Sequence, residues 1–228
     1  MSPRSFGSRF RGLTARMLKS YLPYYAVSDD EYLYYMWMSH LFSMSMKVPG
    51  HIVEVGVAGG RNSIIFGRLL ELTGESYTRK YYGFDTFEGY CKDTVEENPW
   101  LNVNSWKGEE YSLHRVRRRI ERLGYETNCV FIKGDCRKTL PEFLQNHSDD
   151  RIQPGHACIA LLYVDCNAYN PALTSMQSVY PHMPSGGIIA IDEKRQGGET
   201  QAILEFAKTN GLECKHDYFR PPIFLVKP

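Results

Sequence analysis

IALLYVDCNAYNPALTSMQSVYPHMPSGGIIAIDEK, residues 159–194, reads as strand, helix, turn, strand. Ile159 to Val164 is an unbroken apolar run of strand length, as expected where both faces of a parallel sheet are covered, and it stops at Asp165. Pro171 to Tyr180 has helical spacing, and Pro184-Ser185-Gly186-Gly187 turns the chain. Ile188 to Ile191 is a second buried run, and it ends in Asp192-Glu193. A right-handed crossover sets the two strands parallel, so their C-terminal ends share the edge at which open α/β sheets bind ligands. Asp165, Asp192 and Glu193 are therefore expected to converge as hard oxygen ligands suited to Mg²⁺, Mn²⁺ or Ca²⁺. Acids at strand ends can also simply cap helices or face water.

Working outward, strand and helix alternate from His51 onward. Strands are expected at 51–55, 80–84, 129–133, 159–164, 188–191, about 213–218 and 223–226, with helices near 61–73, 110–122, 137–146, 171–180 and 199–209. This is a doubly wound α/β chain with a mostly parallel seven-stranded sheet, organised as an N-terminal helical arm or lid (1–48) and a Rossmann-like domain (49–228). Ser28-Asp29-Asp30-Glu31 is a capping box that opens the arm's helix. Its stripe of Tyr32, Tyr35, Met36, Trp37, Leu41 and Phe42 reads as core packing, while Tyr24, Tyr25 and Tyr32 could edge a pocket. Residues 1–20 hold five basic residues and no acid, which suits a solvated arm, a substrate lid, or a surface that touches a membrane or a second copy of the chain. The aperiodic, aromatic stretch from Gly89 to Lys107 follows a strand end and is a candidate substrate loop.

The 228 residues carry a net charge of +1, which gives no steering toward polyanions. The basic run His114 to Arg122 keeps Val116, Ile120 and Leu123 as a buried stripe, so its arginines form a solvated face and not a nucleic-acid footprint. Six scattered cysteines without C-x-x-C suit a reducing, cytoplasmic compartment, and no run is long enough to span a bilayer.

Ile52-Val53-Glu54-Val55-Gly56-Val57-Ala58-Gly59-Gly60 is a strand running into a glycine turn and a helix. Its G-x-x-x-G differs from the G-x-G-x-x-G of dinucleotide binders, and Asp85 follows the first strand by about 30 residues where an NAD site expects about 20. Glu54, Gly56 and Gly60, then Asp85 at the next strand end, form the arrangement that holds S-adenosyl-L-methionine in Rossmann-like methyltransferases. Asp85 can accept from ribose hydroxyls, Glu54 can hold the methionine ammonium, and Asp135 in Gly134-Asp135-Cys136 can accept from the adenine amine. Ser63, Thr86 and Cys136 belong to the same turns. Each of these acids could equally be a helix cap.

Four blocks, IVEVGVAGG (52–60), YGFDTFEG (82–89), GDCRKTLP (134–141) and the 159–194 stretch, make the chain resemble the macrocin O-methyltransferase (TylF/MycF-type) family. The likeness covers about residues 22 to 215. It implies an S-adenosylmethionine- and metal-dependent methyltransferase of sugars or sugar-bearing natural products, with Asp165, Asp192 and Glu193 as ligands. Tyr163 stands where that pattern has Arg, Asn167 where it has a second Asp, Glu193 where it has Asp and Lys194 where it has Tyr. Asp165 is the expected general base and Lys194 a second candidate. Competing readings are a catechol-type small-molecule methyltransferase, an NAD oxidoreductase, and a relative that binds the cofactor without catalysis.

Overall fold

A computed structural model describes residues 28–102, 104–146, 157–193, 197–216 and 223–228. The basic arm, Tyr24, Tyr25 and Lys194 lie outside the described residues, and so do the readings placed on them, including pairing of two copies through the arm.

Helix α1 (Asp29–Ser45) opens on the expected capping box, with Ser28 and Glu31 hydrogen-bonded reciprocally. Then follow β1 (His51–Val55), α2 (Arg61–Thr73), β2 (Tyr81–Asp85), α3 (Lys92–Glu97), α4 (Leu113–Leu123), β3 (Cys129–Lys133) and α5 (Cys136–Asn146). The second half holds β4 (Ile159–Val164), α6 (Tyr169–Val179), β5 (Ile188–Ile191), α7 (Gly198–Asn210), β6 (Lys215–His216) and β7 (Ile223–Val226). The sheet has seven strands in the order β3-β2-β1-β4-β5-β7-β6. The first five run parallel, and β7 runs antiparallel to both β5 and β6. The order reverses between β1 and β4, so a crevice opens beyond their C-terminal ends.

Side chains alternate across each strand and sort the core into two layers. Val53, Val55, Leu162 and Val164 pack with Leu140 and Leu144 of α5, Met176 of α6 and Phe206 of α7. Ile52, Tyr81, Leu161 and Tyr163 pack on the other side, against α1, Phe66 and Leu70 of α2, and Val116 and Ile120 of α4. Helix α1 buries Tyr34, Trp37, Met38, Leu41 and Phe42, so it is part of this core.

Trp37, Leu41 and Phe42 of α1 are buried as expected, but at its start the buried residue is Tyr34, while Tyr32 and Tyr35 are 63% and 41% exposed. Aromatics occupy neighbouring positions there, and only the sheet selects which of them is buried. Leu123, at the end of α4, is 48% exposed and falls outside the buried stripe that Val116 and Ile120 do form. The 89–107 stretch contains a short helix, α3, that its aperiodic sequence did not announce.

Candidate active site

The crevice at the switch point is an open cleft of about 710 Å³, solvent at its mouth included. Gly56, Asp85, Thr86, Asp135, Cys136 and Asp165 line it, as the sequence reading placed them. Gly56 has φ +94°, and a Cβ there would stand 1.9 Å from the Asp165 carbonyl oxygen, so only glycine lets the ends of β1 and β4 approach this closely.

Asp85 organises the glycine turn. One carboxylate oxygen accepts from the Val57 and Ala58 amides at 2.8 and 2.9 Å, and the other from the Phe87 amide at 2.6 Å. Ala58 and Phe87 hold φ of +46° and +54°, a region non-glycine residues rarely adopt, so the Asp85 bonds stabilise a strained backbone at the rim. The oxygen that accepts from Phe87 keeps an acceptor position for a ligand hydroxyl, whereas the other is filled by its two amides. Asp135 is gripped by the Arg137 guanidinium through Nε and Nη2, and Arg137 also bridges to Asp93 of α3 at 2.7 Å. Arg137 thus ties the floor of the cleft to the loop above it, and these two partners hold it firmly cationic. Phe84, Tyr90, Trp106 and Pro171 supply apolar and aromatic wall, with Trp106 Nε1 donating to the Tyr90 hydroxyl at 3.0 Å. Burial pushes the Cys136 thiol up to about 12, so it lines the cleft as a neutral apolar group.

Glu54, Gly60 and Ser63 do not line the cleft. Glu54 is fully buried on the α1 side of β1, where Asn62 Nδ2 donates to it at 2.6 Å and the Tyr81 hydroxyl donates to its other oxygen. Burial raises its carboxyl to about 8 against those two lowering bonds. The sequence carried a signal for this: Glu54 lies inside an apolar strand, whereas Asp85 and Asp165 terminate theirs. Ser63 donates to the Tyr81 hydroxyl at 2.9 Å in the same network. Gly60 takes the left-handed turn (φ +81°) that starts α2.

Of the three acids expected to hold a metal, Asp165 and Asp192 sit side by side at the ends of β4 and β5, and Glu193 points away from them. Asp192 accepts from the Tyr163 hydroxyl at 2.6 Å, on the α1 side of the sheet. Glu193 turns the other way and accepts from the Thr200 amide at 3.0 Å, in the first turn of α7. Consecutive residues of an extended strand point to opposite faces, which explains the divergence. Among the described residues, no group of three His, Cys, Asp or Glu side chains is placed to hold a metal ion. As arranged, this donor set does not fit a bound cation.

Sequence reasoning gave no site role to three residues. Glu199 is fully buried and accepts from the backbone amides of Asn167 and Glu193, joining the loops after β4 and β5. Burial, with Glu193 and Asp192 nearby, raises its carboxyl well above the usual range. Its bond holds Asn167 at φ +58° beside the cleft. Tyr163 reads as one more apolar strand residue until its hydroxyl is placed. Arg119 of α4 donates to the Gly59 carbonyl at 2.6 Å and braces the glycine turn. Among the described residues, no helix is long and apolar enough to cross a membrane.

Comparison with known proteins agrees with this geometry. A family model described as a methyltransferase domain matches residues 53–193. An 8-demethyl-8-(2,3-dimethoxy-α-L-rhamnosyl)-tetracenomycin-C 4′-O-methyltransferase of Streptomyces olivaceus is 26% identical over 170 residues, 72% of this chain and 60% of that protein. The chain therefore spans less than two thirds of that relative. Its fold matches the calicheamicin methyltransferase CalS11 (TM-score 0.74, 23% identity, 99% of this chain and 93% of the other). It also matches the apo form of CalS11, described as a TDP-rhamnose 3′-O-methyltransferase (TM-score 0.67, 23% identity, 99% and 95% coverage). With its cleft at the switch point and a family match over the whole stretch from β1 to Glu193, the chain belongs to the methyltransferase-domain family.

Proposed function

We propose that this chain transfers a methyl group from S-adenosylmethionine to a hydroxyl of a sugar or sugar-bearing small metabolite. The observation that carries the reading is the cleft itself: Asp85, Asp135 and Asp165 follow three different strands along the sheet edge and line one pocket beside a glycine turn. When bound, S-adenosylmethionine supplies an electrophilic methyl carbon on a sulfonium. Asp85 binds the ribose hydroxyls and Asp135 the adenine edge. The aromatic pair Tyr90 and Trp106 gives the acceptor a flat wall on which a sugar face can rest. Asp165 orients the acceptor hydroxyl and receives its proton as the new carbon–oxygen bond forms and the carbon–sulfur bond breaks. No covalent protein nucleophile is needed. The related proteins named for rhamnosyl and TDP-rhamnose acceptors support the sugar class.

Calorimetry with S-adenosylhomocysteine tests cofactor binding. A screen of nucleotide sugars, glycosides and catechols with labelled S-adenosylmethionine tests the acceptor. Methylation of catechols alone would move the chain to the catechol-type class, and label found only in macromolecules would end the small-molecule reading.

A further inference from the structure

A seam of buried polar groups runs along the α1 side of the sheet and ends at the active site, and the methyl-transfer reading leaves it unused. Glu54 accepts from Asn62 and Tyr81, and the Asn62 side-chain oxygen accepts from the Tyr34 hydroxyl. Tyr34 lies close enough to Tyr163 to feel its side chain, and the Tyr163 hydroxyl donates to Asp192 at 2.6 Å. Tyr163 is fully buried, so its hydroxyl must keep a partner: a phenylalanine would fill the same space without that demand. Register places Asp192 beside Asp165, because its neighbour Ile191 pairs with Val164 and the Asp192 amide donates to the Val164 carbonyl.

The other acid at this strand end is also committed to the protein. Glu193 accepts from the Thr200 amide, and its own amide donates to buried Glu199. A side chain at Gly197 would meet the Glu193 carboxylate at 2.0 Å, so this loop folds directly against it. To ligate a cation, Glu193 would have to abandon the start of α7.

We propose that Tyr163 is a positioning residue that fixes Asp192 beside Asp165, so that the protein's own donors organise the acidic end of β4 and β5 and methyl transfer proceeds without a divalent cation. The proposal rests on the O-methyl-transfer reading. Asp165 remains the group that meets the acceptor hydroxyl, and Tyr163 acts through Asp192.

Three measurements test it on the full chain. Mn²⁺ titration followed by electron paramagnetic resonance needs no substrate: no saturable binding tighter than about 1 mM is expected. One Mn²⁺ per chain at micromolar affinity, lost in Asp192→Asn, would overturn the proposal. Turnover should change by no more than about twofold in EDTA, and loss of turnover that Mg²⁺ restores would also overturn it. Tyr163→Phe should lower kcat about tenfold while KM and the affinity for S-adenosylhomocysteine hold, a split that mere destabilisation does not produce. An unchanged kcat would remove Tyr163 from its role. Should Tyr163→Phe fail to fold, Asp192→Asn replaces it with the same expected loss and the same refuting result. Failure to bind S-adenosylhomocysteine would count against the methyl-transfer reading, while the Mn²⁺ titration would still decide the metal.

Discussion

Replacing Glu54 by glutamine separates two roles for this acid, a ligand for the cofactor's ammonium and a member of the core. Burial is the dominant influence on its carboxyl and raises it from 4.5 to about 8, against the lowering bonds from Tyr81 and Asn62. The folded value therefore exceeds the unfolded one. Its contribution to stability is fully present below pH 4.5 and is lost as pH rises through about 8. Between those limits the folded chain holds a proton that the unfolded chain releases. One such group lowers stability by about 1.4 kcal/mol per pH unit, with a ceiling of about 5 kcal/mol over the whole window. Glu199 is raised in the same direction by burial, so up to two protons contribute in the wild type. Glutamine keeps the shape, its carbonyl can accept from Asn62, and the Tyr81 hydroxyl can reverse to accept the new amide and donate to Ser63. At pH 6 the variant should lose about 1–2 kcal/mol from the rearranged bonds. By pH 9 it should match or exceed the wild type. Urea unfolding at unit steps from pH 6 to 9 reads this as a slope reduced by about one proton. Parallel wild-type and variant profiles would refute the buried-acid reasoning. A loss of S-adenosylhomocysteine affinity beyond about tenfold would instead put Glu54 at the cofactor.

Asp85→Ala should weaken S-adenosylhomocysteine binding by about 1–3 kcal/mol in calorimetry, because it removes an acceptor and also releases the Val57, Ala58 and Phe87 amides. Asp165→Asn should cut kcat by about a hundredfold, whereas Asn167→Gly, which suits the φ of +58°, should cost far less; equal losses would remove Asp165 as base. Arg137→Ala unhooks Asp93 of α3 from Asp135, so limited proteolysis should cut within residues 89–107 faster than in the wild type. Trp37→Ala should destabilise the fold by about 3–5 kcal/mol, because Trp37 is fully buried and packs edge-on against Phe224 of β7; a surface-like loss in thermal unfolding would show that α1 is detachable.

The sheet was legible because apolar runs of strand length such as Ile159 to Val164 and Ile188 to Ile191 report burial on both faces directly, and their boundaries agree with the structure. The cleft was legible for a related reason. Acids that end strands, Asp85 and Asp165, fall on the ligand-binding edge whatever the packing behind them, and a glycine turn such as Gly56 is needed wherever two strand ends close on each other. Elements that depend on a partner were not legible. Which aromatics of α1 point inward is decided by the sheet beneath it. Glu199 looks like an ordinary acid in the first turn of a helix, and only the loops after β4 and β5 make it a buried acceptor for both.

Asp192-Glu193 shows where the two kinds of information part. Sequence spacing puts both acids at one strand end, and from that alone a joint metal site follows. The alternation of a strand separates them again, toward α1 and toward α7, and each side offers a donor: the Tyr163 hydroxyl on one and the Thr200 amide on the other. A cation would have to compete with both. The same alternation carries Glu54 into the α1 layer, where Asn62 and Tyr34 link it toward Tyr163. Helix α1 is therefore more than a cover on the sheet: its Tyr34 is hydrogen-bonded into the buried polar cluster around Glu54.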